Sequence, residues 1–347
     1  MCGITGFIDY TKNTSRSTLG SMGNTLKHRG PDDYGFEIYT NDYASVGLGQ
    51  TRLSILDLSP AGHQPMQYRH LSIVFNGEIY NFKEIKDELR DLGHQFKSDS
   101  DTEVILHAFE MWGTECVSRF IGMFAFVIYD QKAKKKYFFR DRAGVKPLFY
   151  YQQDGIFLFA SELKALMQHP KFEKSLDLGA LSTYFDYGYI PTPYCIFENT
   201  FKLEAGSYLE YDIAQSSIRQ RTYWNAIDYY QKPKLKIGFQ EAKEELEVLL
   251  KSAFQYRMVA DVPVGVFLSG GYDSTAVAAI LQSCNNSKLK TFTIGFEEGN
   301  NEAPYARDTA SYLGTNHHEY TCTTREAQDI IPDLPHYYDE PFADSSA

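Results

Sequence analysis

The stretch Val262–Leu281, VPVGVFLSGGYDSTAVAAIL, contains the features that decide the fold of the second half of the chain. Its apolar residues between Val264 and Leu268 are typical of a short buried parallel strand. Ser269-Gly270-Gly271 interrupts that strand, and Asp273-Ser274-Thr275 begins a segment that predicts a helix with a polar N-terminus. A strand, a glycine turn and a helix start together offer free backbone N–H groups and a positive dipole end, which favour an anion such as phosphate.

The polar side chains of this loop suit a nucleotide, although an ordinary strand-to-helix turn is the alternative. Ser269 and Ser274 add hydroxyl donors, and Asp273 among phosphate-facing groups requires a cation such as Mg²⁺. The loop lacks the Gly-Lys-Ser/Thr end of the Walker type. It resembles the SGGxDS loop of ATP pyrophosphatases, which cleave ATP between the α- and β-phosphates.

Composition limits the class of protein. The chain has 347 residues, 43% hydrophobic and 23% charged, which is typical of a globular protein with two domains. A net charge of −11 argues against nucleic acid or an anionic membrane as a partner. The five cysteines have no paired spacing, and we find neither a membrane-spanning run nor a signal peptide, so we predict a cytoplasmic protein without a membrane partner.

Cys2 is the first candidate nucleophile. A small residue after Met1 predicts removal of the initiator, which leaves Cys2 with both a thiol and a free α-amine. Their ordinary pKa values are about 8.5 and about 7.7–8.0, so the amine can act as a base for its own thiol. The alternative is a cysteine that simply begins a strand.

Three further features in the first hundred residues each allow two interpretations. Arg52 offers a rigid fork of donors that suits a carboxylate. Asn76-Gly77 follows an apolar strand and predicts either a tight hairpin turn or a pair of oxyanion donors. Asp101 lies at a predicted helix start, where an acid caps the helix or holds a substrate ammonium.

Five ordered motifs make the first part of the chain resemble a class II glutamine amidotransferase domain. These motifs are Cys2-Gly3-Ile4, HRGPDD at 28–33, TRLSI at 51–55, FNGEIYN at 75–81 and SDTE at 100–103. The family folds as an N-terminal-nucleophile (Ntn) hydrolase, with two packed sheets between helical layers.

The resemblance implies a role for each matching residue. Cys2 attacks the glutamine carboxamide, and Asn76 with Gly77 stabilises the tetrahedral oxyanion. Arg52 binds the substrate α-carboxylate, while Glu78 and Asp101 hold its α-ammonium. The rest of the glutamine pocket wall consists of Leu53, Ser54, Ile55 and Leu56.

The resemblance to glutamine-hydrolysing asparagine synthetases, the asparagine synthetase B family, extends from residue 2 to the last residue. It implies that Leu268 and Ile294 flank an adenine, and that Asp339–Asp344 lies near the nucleotide. ATP and Mg²⁺ are the implied cofactors, with Asp273 as a metal ligand. The pyrophosphate contacts are implied for Ser269, Gly270, Gly271, Asp273 and Ser274.

We therefore predict an α/β and α+β protein of two domains. An αββα Ntn-hydrolase sandwich occupies residues 2–210, a linker 211–237, and a doubly wound parallel α/β domain of the adenine nucleotide alpha-hydrolase type residues 238–347. Because members of this family continue with a further acid-rich signature and a helical tail, we expect the second domain to be incomplete. The oligomeric state is left open, with a homodimer as one option.

The predicted function is an ATP-dependent, glutamine-hydrolysing asparagine synthetase. Glutamine is hydrolysed at Cys2, and channelled ammonia attacks β-aspartyl-AMP to give asparagine, AMP and pyrophosphate. One rival amidates another carboxylate, such as a uronic acid sugar, and Tyr272 keeps it open because the family more often has leucine there. A second rival is an incomplete fragment that retains only binding or glutaminase function.

Overall fold

A computed structural model of the chain describes residues 1–297, 299 and 301–344. The chain divides into two compact units. The first contains Met1–Lys232 together with the described residues from Tyr338 onward, and the second contains Pro233–Tyr337. The last three residues of the predicted second domain lie outside the described residues.

The described residues of the first unit form two antiparallel six-stranded sheets and six α-helices. Its strands are β1 Gly3–Asp9, β2 Asp33–Thr40, β3 Ser45–Arg52, β4 Met66–Tyr68, β5 Leu71–Ile79, β6 Gly122–Asp130, β7 Lys135–Arg140, β8 Phe149–Gln153, β9 Ile156–Ala160, β10 Thr200–Lys202, β11 Ser207–Asp212 and β12 Ser217–Thr222. Its helices are α1 Arg16–Asn24, α2 Phe82–Asp91, α3 Asp101–Trp112, α4 Leu163–Leu166, α5 Leu178–Tyr187 and α6 Ala226–Tyr230. The sheet orders are β10-β8-β9-β1-β3-β2 and β12-β11-β7-β6-β5-β4.

The two sheets pack face to face around one apolar core. Phe138 on β7 contacts Phe157 and Phe159 on β9 at ring-centroid distances of 5.2 and 5.3 Å, so side chains of the two sheets interdigitate. Residues of α1 and α4 share a second cluster with Phe7 and Leu158 of the first sheet. Helix α3 contacts β4 and β5 of the second sheet. The predicted αββα sandwich is confirmed.

Strand β5 continues through Asn76-Gly77 to Ile79, so the hairpin turn that this pair also predicted does not form. Gly77 lies opposite Phe124 in the antiparallel pair of β5 with β6. A turn would have ended the strand at Phe75. The strand persists because β6 supplies a continuous partner for all nine residues of β5.

The region predicted as a linker, 211–237, contains regular structure. Residues 217–222 form β12, which pairs with β11 and completes the edge of the second sheet. Its sequence Ser-Ile-Arg-Gln-Arg-Thr is polar because an edge strand has a largely solvent-facing surface, and such composition resembles that of a linker. The first unit continues to Lys232.

The second unit alternates strands with helices. Its strands are β13 Gly265–Phe267, β14 Lys290–Phe296 and β15 Asn316–Cys322, and its helices are α7 Phe239–Tyr256, α8 Tyr272–Cys284, α9 Ala303–Leu313, α10 Thr324–Ile330 and α11 Leu334–Tyr337. The three strands are parallel and lie in chain order. The predicted parallel α/β class is confirmed. The chain order of the strands and the contact of α8 with α9 place both connecting helices on one face, and alternate residues of β14 are exposed, so the described residues do not show the second helical layer of the predicted doubly wound sheet. Within the described ranges, no helix combines the length and the apolar character that crossing a membrane requires.

Candidate active site

Cys2 immediately precedes β1, an inner strand of the first sheet. The Leu53 backbone N–H donates to the Cys2 Sγ at 3.4 Å, and the thiol donates to the Leu53 carbonyl at 3.6 Å. Burial raises the pKa of the Cys2 thiol above its ordinary value. A buried thiol needs a nearby base to become a thiolate. In the structure Met1 precedes Cys2, and burial lowers the pKa of the terminal amine on Met1.

Arg29 holds the backbone of the nucleophile, a role that sequence reasoning missed. Its Nε donates to the Cys2 carbonyl at 2.9 Å, and its Nη1 lies 2.6 Å from Glu162 Oε1. Arg29 belongs to the HRGPDD motif, but its pairing with Glu162 spans 133 positions of sequence. Within HRGPDD, Asp32 also binds the Ser54 backbone N–H at 2.8 Å.

Most of the residues predicted for glutamine binding meet in one cleft at the end of β1. Its lining residues are Cys2, Arg52, Leu53, Ile55, Leu56, Gln64, Phe75, Gly77, Glu78, Ser100, Asp101 and Thr102. Ser54 and Asn76 are not among them. Residues of β3, β5 and the start of α3 therefore surround the thiol of Cys2, which directly precedes β1.

Gln64, which sequence reasoning did not single out, fixes one wall of this cleft. Its side-chain carbonyl accepts the Phe75 N–H at 2.7 Å, and its amide donates to the Thr102 hydroxyl at 3.1 Å. Gln64 therefore ties β5, which carries Asn76 and Gly77, to the helix that carries Asp101. A single buried glutamine has no local sequence signal for such a role.

Asn76 and Gly77 have the properties expected of oxyanion donors. The Asn76 side chain is fully buried, yet neither its amide nitrogen nor its oxygen has a hydrogen-bond partner within the described residues. Buried polar groups are otherwise almost always paired, so an unpaired amide points to a ligand. A Cβ on Gly77 would lie 2.2 Å from the Met123 carbonyl oxygen, so only glycine fits there.

Arg52 already uses part of its guanidinium to hold the neighbouring loop. Its Nη2 donates to the carbonyls of Leu56 and Asp57 at 3.1 and 2.5 Å, and its Nη1 to that of Ser59 at 3.3 Å. Arginine has five N–H donors, so two remain for a substrate carboxylate. Arg52 thus shapes the pocket wall as well as lining the cleft.

Glu78 and Asp101 form an acidic pair in the same cleft. Asp101 Oδ2 accepts the Ile79 backbone N–H at 2.9 Å, which holds its carboxylate against β5. Burial raises the pKa of Glu78, and the charge of Asp101 raises it further. Burial also raises the pKa of Asp101. Two acids that resist ionisation together are suited to a cation, whose charge lets both ionise.

We expect glutamine affinity to increase with pH because of this pair. At low pH the pair retains a proton, and an α-ammonium placed between the two acids displaces it. The pKa values of Asp101 and Glu78 are raised to about 7 and about 9, so the Kd for glutamine should fall as the pH rises from ~7 to ~9, by at most about tenfold per pH unit for one proton released. Calorimetry on the Cys2→Ala variant measures binding without turnover, and buffers of different ionisation enthalpy report the proton.

The variant Asp101→Asn serves as the control for this pH dependence. It keeps an acceptor for the Ile79 N–H but removes one of the two charges, so the pH dependence should flatten. A Kd that is constant with pH and binding without proton release in the Cys2→Ala protein would contradict the expectation.

Residues 269–274, between β13 and the first turn of α8, form a compact polar turn that we call the phosphate loop. Ser269 Oγ lies 2.9 Å from Ser274 Oγ, and the Gly271 N–H donates to Ser269 Oγ at 3.3 Å. Gly270 has φ of +79°, and a Cβ there would lie 2.7 Å from the Tyr305 Cβ. The loop leads into the N-terminus of a 13-residue helix, which is the arrangement that binds phosphate groups.

The two residues predicted to flank the adenine of ATP, Leu268 and Ile294, differ in their exposure. Ile294 is 54% exposed on β14, whereas Leu268 is 1% exposed within the core of the second unit. The Leu268 side chain is therefore not available to a nucleotide, and its backbone groups already have partners within the second unit. Its carbonyl accepts the Thr293 hydroxyl, and its N–H donates to the Phe292 carbonyl at 2.8 Å.

Asp273 is the one acid of the described phosphate loop and is exposed in the first turn of α8. Among the described residues, no group of three or more His, Cys, Asp or Glu side chains could hold a metal by itself. Mg²⁺ commonly takes one or two carboxylates and completes its shell with phosphate oxygens and water, so the exposed carboxylate of Asp273 suits it. Asp273 would be its protein ligand, and the ion would neutralise charge on the phosphates.

Comparison with known proteins supports the organisation of the chain into two units. Residues 1–224 match a family described as a glutamine amidotransferase domain, and residues 245–347 match one described as asparagine synthase. A solved structure described as the allosteric regulatory enzyme of purine biosynthesis has a TM-score of 0.50 at 14% identity, and covers 92% of this chain and 80% of its own. That likeness concerns the fold alone. The first unit thus has the class II glutamine amidotransferase architecture.

Relatives of similar sequence identify the family of the whole chain. A putative asparagine synthetase [glutamine-hydrolyzing] 2 of Methanocaldococcus jannaschii is 41% identical over all of this chain and 70% of its own length. Asparagine synthetase [glutamine-hydrolyzing] 3 of Bacillus subtilis is 33% identical over 96% of this chain and 57% of its own length. The chain belongs to the family of glutamine-hydrolysing asparagine synthetases.

Proposed function

We propose that the first unit hydrolyses glutamine at Cys2. After removal of Met1, the α-amine of Cys2 takes the thiol proton, and the sulfur adds to the glutamine carboxamide. Asn76 and the Gly77 N–H stabilise the oxyanion. As the tetrahedral species collapses, the α-ammonium of Cys2 returns the proton to the leaving nitrogen, the C–N bond breaks, and ammonia departs and leaves a glutamyl thioester. Water then hydrolyses the thioester to glutamate and restores the thiol.

One observation carries this proposal: Cys2, Gly77, Arg52, Glu78 and Asp101 line a single cleft. They supply a nucleophile, an oxyanion donor, a cation for the α-carboxylate and two acids for the α-ammonium. That set matches a free amino acid with a side-chain amide. The buried, unpaired amide of Asn76 adds the second oxyanion donor.

For the second unit we propose ATP-dependent activation of a carboxylate, with aspartate as the substrate. The phosphate loop and the α8 N-terminus would bind the pyrophosphate portion of ATP, and Mg²⁺ would shield Asp273. Cleavage between the α- and β-phosphates yields an acyl adenylate and pyrophosphate. Ammonia then displaces AMP to give asparagine. The chain spans 70% of its archaeal relative and 57% of the Bacillus one, whose names include this activity.

Tyr272 favours testing a second acceptor. It is 98% exposed within the phosphate loop, where a large aromatic ring is available to a bound substrate. A uronic acid sugar would stack on such a ring more favourably than aspartate. The acceptor carboxylate is therefore the part of the proposal to test first.

The test measures pyrophosphate release by the intact natural protein with ATP, Mg²⁺, glutamine and one candidate acid at a time. We expect release with aspartate, and glutamate formed in step with it. Turnover of a uronic acid without turnover of aspartate would establish the other acceptor. Glutamate formation without pyrophosphate release from any acid would limit the function to glutamine hydrolysis.

A further inference from the structure

The chain returns to the first unit after leaving it. It departs after Lys232, forms the second unit, and rejoins the first from Tyr338 onward. Glu340 accepts the Ile196 N–H at 2.8 Å and lies 2.5 Å from the Lys202 Nζ. The Ala343 N–H donates to the Gly188 carbonyl at 2.8 Å. We call the residues 338–344 the return segment.

Asp339 of the return segment connects to the nucleophile through a chain of ionic contacts. Its carboxylate accepts the Lys164 backbone N–H at 3.2 Å and lies 3.4 Å from Lys164 Nζ. Lys164 Nζ lies 3.0 Å from Glu162 Oε2. Glu162 Oε1 binds Arg29 Nη1 at 2.6 Å, and Arg29 Nε donates to the Cys2 carbonyl at 2.9 Å.

All four side chains in this chain of contacts are largely withdrawn from water. The exposed fractions are 9% for Asp339, 20% for Lys164, 13% for Glu162 and 9% for Arg29. Charges in such surroundings are poorly screened, and removal of one partner leaves the next uncompensated. Surface ion pairs lack this property because water replaces the lost partner.

Three basic side chains contact the Glu162 carboxylate. Arg29 Nη1 lies 2.6 Å from Oε1, Lys164 Nζ lies 3.0 Å from Oε2, and the exposed His28 ring places its Nε2 3.1 Å from both oxygens. Loss of the Asp339 charge removes one of the two carboxylates beside Lys164 Nζ, so the pull of that ammonium on Glu162 Oε2, away from Arg29, increases. The Arg29 fork would then lose the contact that sets its angle toward the Cys2 carbonyl.

We propose that Asp339 is a positioning residue for the Cys2 nucleophile, acting through Lys164, Glu162 and Arg29. The inference rests on the proposed glutamine hydrolysis at Cys2. It assigns to the return segment a role in the first half of the reaction, while its sequence resemblance pointed to the nucleotide. The segment thus makes the orientation of Cys2 depend on chain that directly follows the second unit.

The test is glutaminase activity of the full chain without ATP. Asp339→Asn should lower kcat about tenfold, since small displacements of a reacting group cost rate steeply, and leave KM within about twofold because the glutamine pocket is untouched. Asp339→Glu should restore most of kcat because it returns the negative charge. The kcat is calculated per active site titrated with an electrophilic glutamine analogue, because a purely structural role would lower the thermal midpoint and the number of active sites but not the kcat of each site.

Two controls separate the relay from general loosening. Asp42→Asn removes an equal charge from the surface pair with Lys134, and Lys202→Met weakens the docking of Glu340. Both should keep the wild-type kcat. Lys164→Gln breaks the same chain of contacts and decides the question if Asp339→Asn fails to fold.

Three results would overturn the inference. One is a kcat for Asp339→Asn equal to that of active wild-type protein. If Asp339→Asn fails to fold, the same result for Lys164→Gln has this meaning. Another is an equal loss in Lys202→Met, which would reduce the segment to a docking role. A wild-type chain without glutaminase activity would overturn the proposed function itself, and this inference with it.

Discussion

Cys2→Ala is expected to abolish glutamine hydrolysis, with kcat at least about 10⁴-fold lower than that of the wild type. Loss of a covalent nucleophile has effects of this size because the other groups of the site cannot replace the bond that it forms. The variant should fold normally, since Cys2 makes only weak thiol contacts with the Leu53 backbone. In the intact natural protein, synthesis from added ammonia should persist.

The measurement is glutamate release from glutamine, combined with mass spectrometry after treatment with an electrophilic glutamine analogue. We expect one label, on Cys2, in a protein whose initiator methionine is absent. Cys284→Ala is the matched control because Cys284 is an exposed free cysteine of the second unit. Label on another side chain, or full activity in protein that keeps Met1, would contradict the assignment.

Asn76→Ala should have the second largest effect, lowering glutaminase kcat about 10²–10³-fold. Removal of one oxyanion donor has this cost because the donor acts on charge that develops only in the transition state. KM should change little, since the oxyanion that Asn76 stabilises is absent from bound glutamine in its ground state. The variant should also retain the fold, because the Asn76 amide has no partner to lose within the described residues.

Steady-state kinetics on Asn76→Ala and Asn76→Asp test this expectation. The aspartate places a negative charge where the oxyanion forms, so it should be at least as damaging as alanine. Asn13→Ala replaces an exposed asparagine of the same unit and should behave as wild type. If Asn76→Ala raised KM strongly at constant kcat, the residue would bind the ground state and the oxyanion assignment would be wrong.

The sequence predicted much of the fold because hydrophobic periodicity is a local signal. The apolar residues between Val264 and Leu268 predicted the strand that the structure forms as β13. The polar residues 273–275 predicted the start of the helix that the structure forms as α8. The predicted linker was less successful, because the edge strand β12 has the polar composition of a loop.

For the candidate site, residue types were easier to predict than their neighbours. Cys2, Arg52, Gly77, Glu78 and Asp101 were selected from motifs, and all of them line one cleft. Single positions misled where tertiary contacts intervene. The Arg52 fork is shared with loop carbonyls, and the Leu268 side chain lies in the core.

By itself, the sequence determined the family, the order of the two units and the reactive groups, because these depend on residue types at short, ordered spacings. Only the tertiary structure decided that Asn76-Gly77 lies within a strand and that Arg29 donates a hydrogen bond to the Cys2 carbonyl. It alone linked Arg29 to Asp339 through Glu162 and Lys164. Contacts between residues more than a hundred positions apart arise when packing excludes water and brings charges together, and no local pattern in one sequence encodes that pairing.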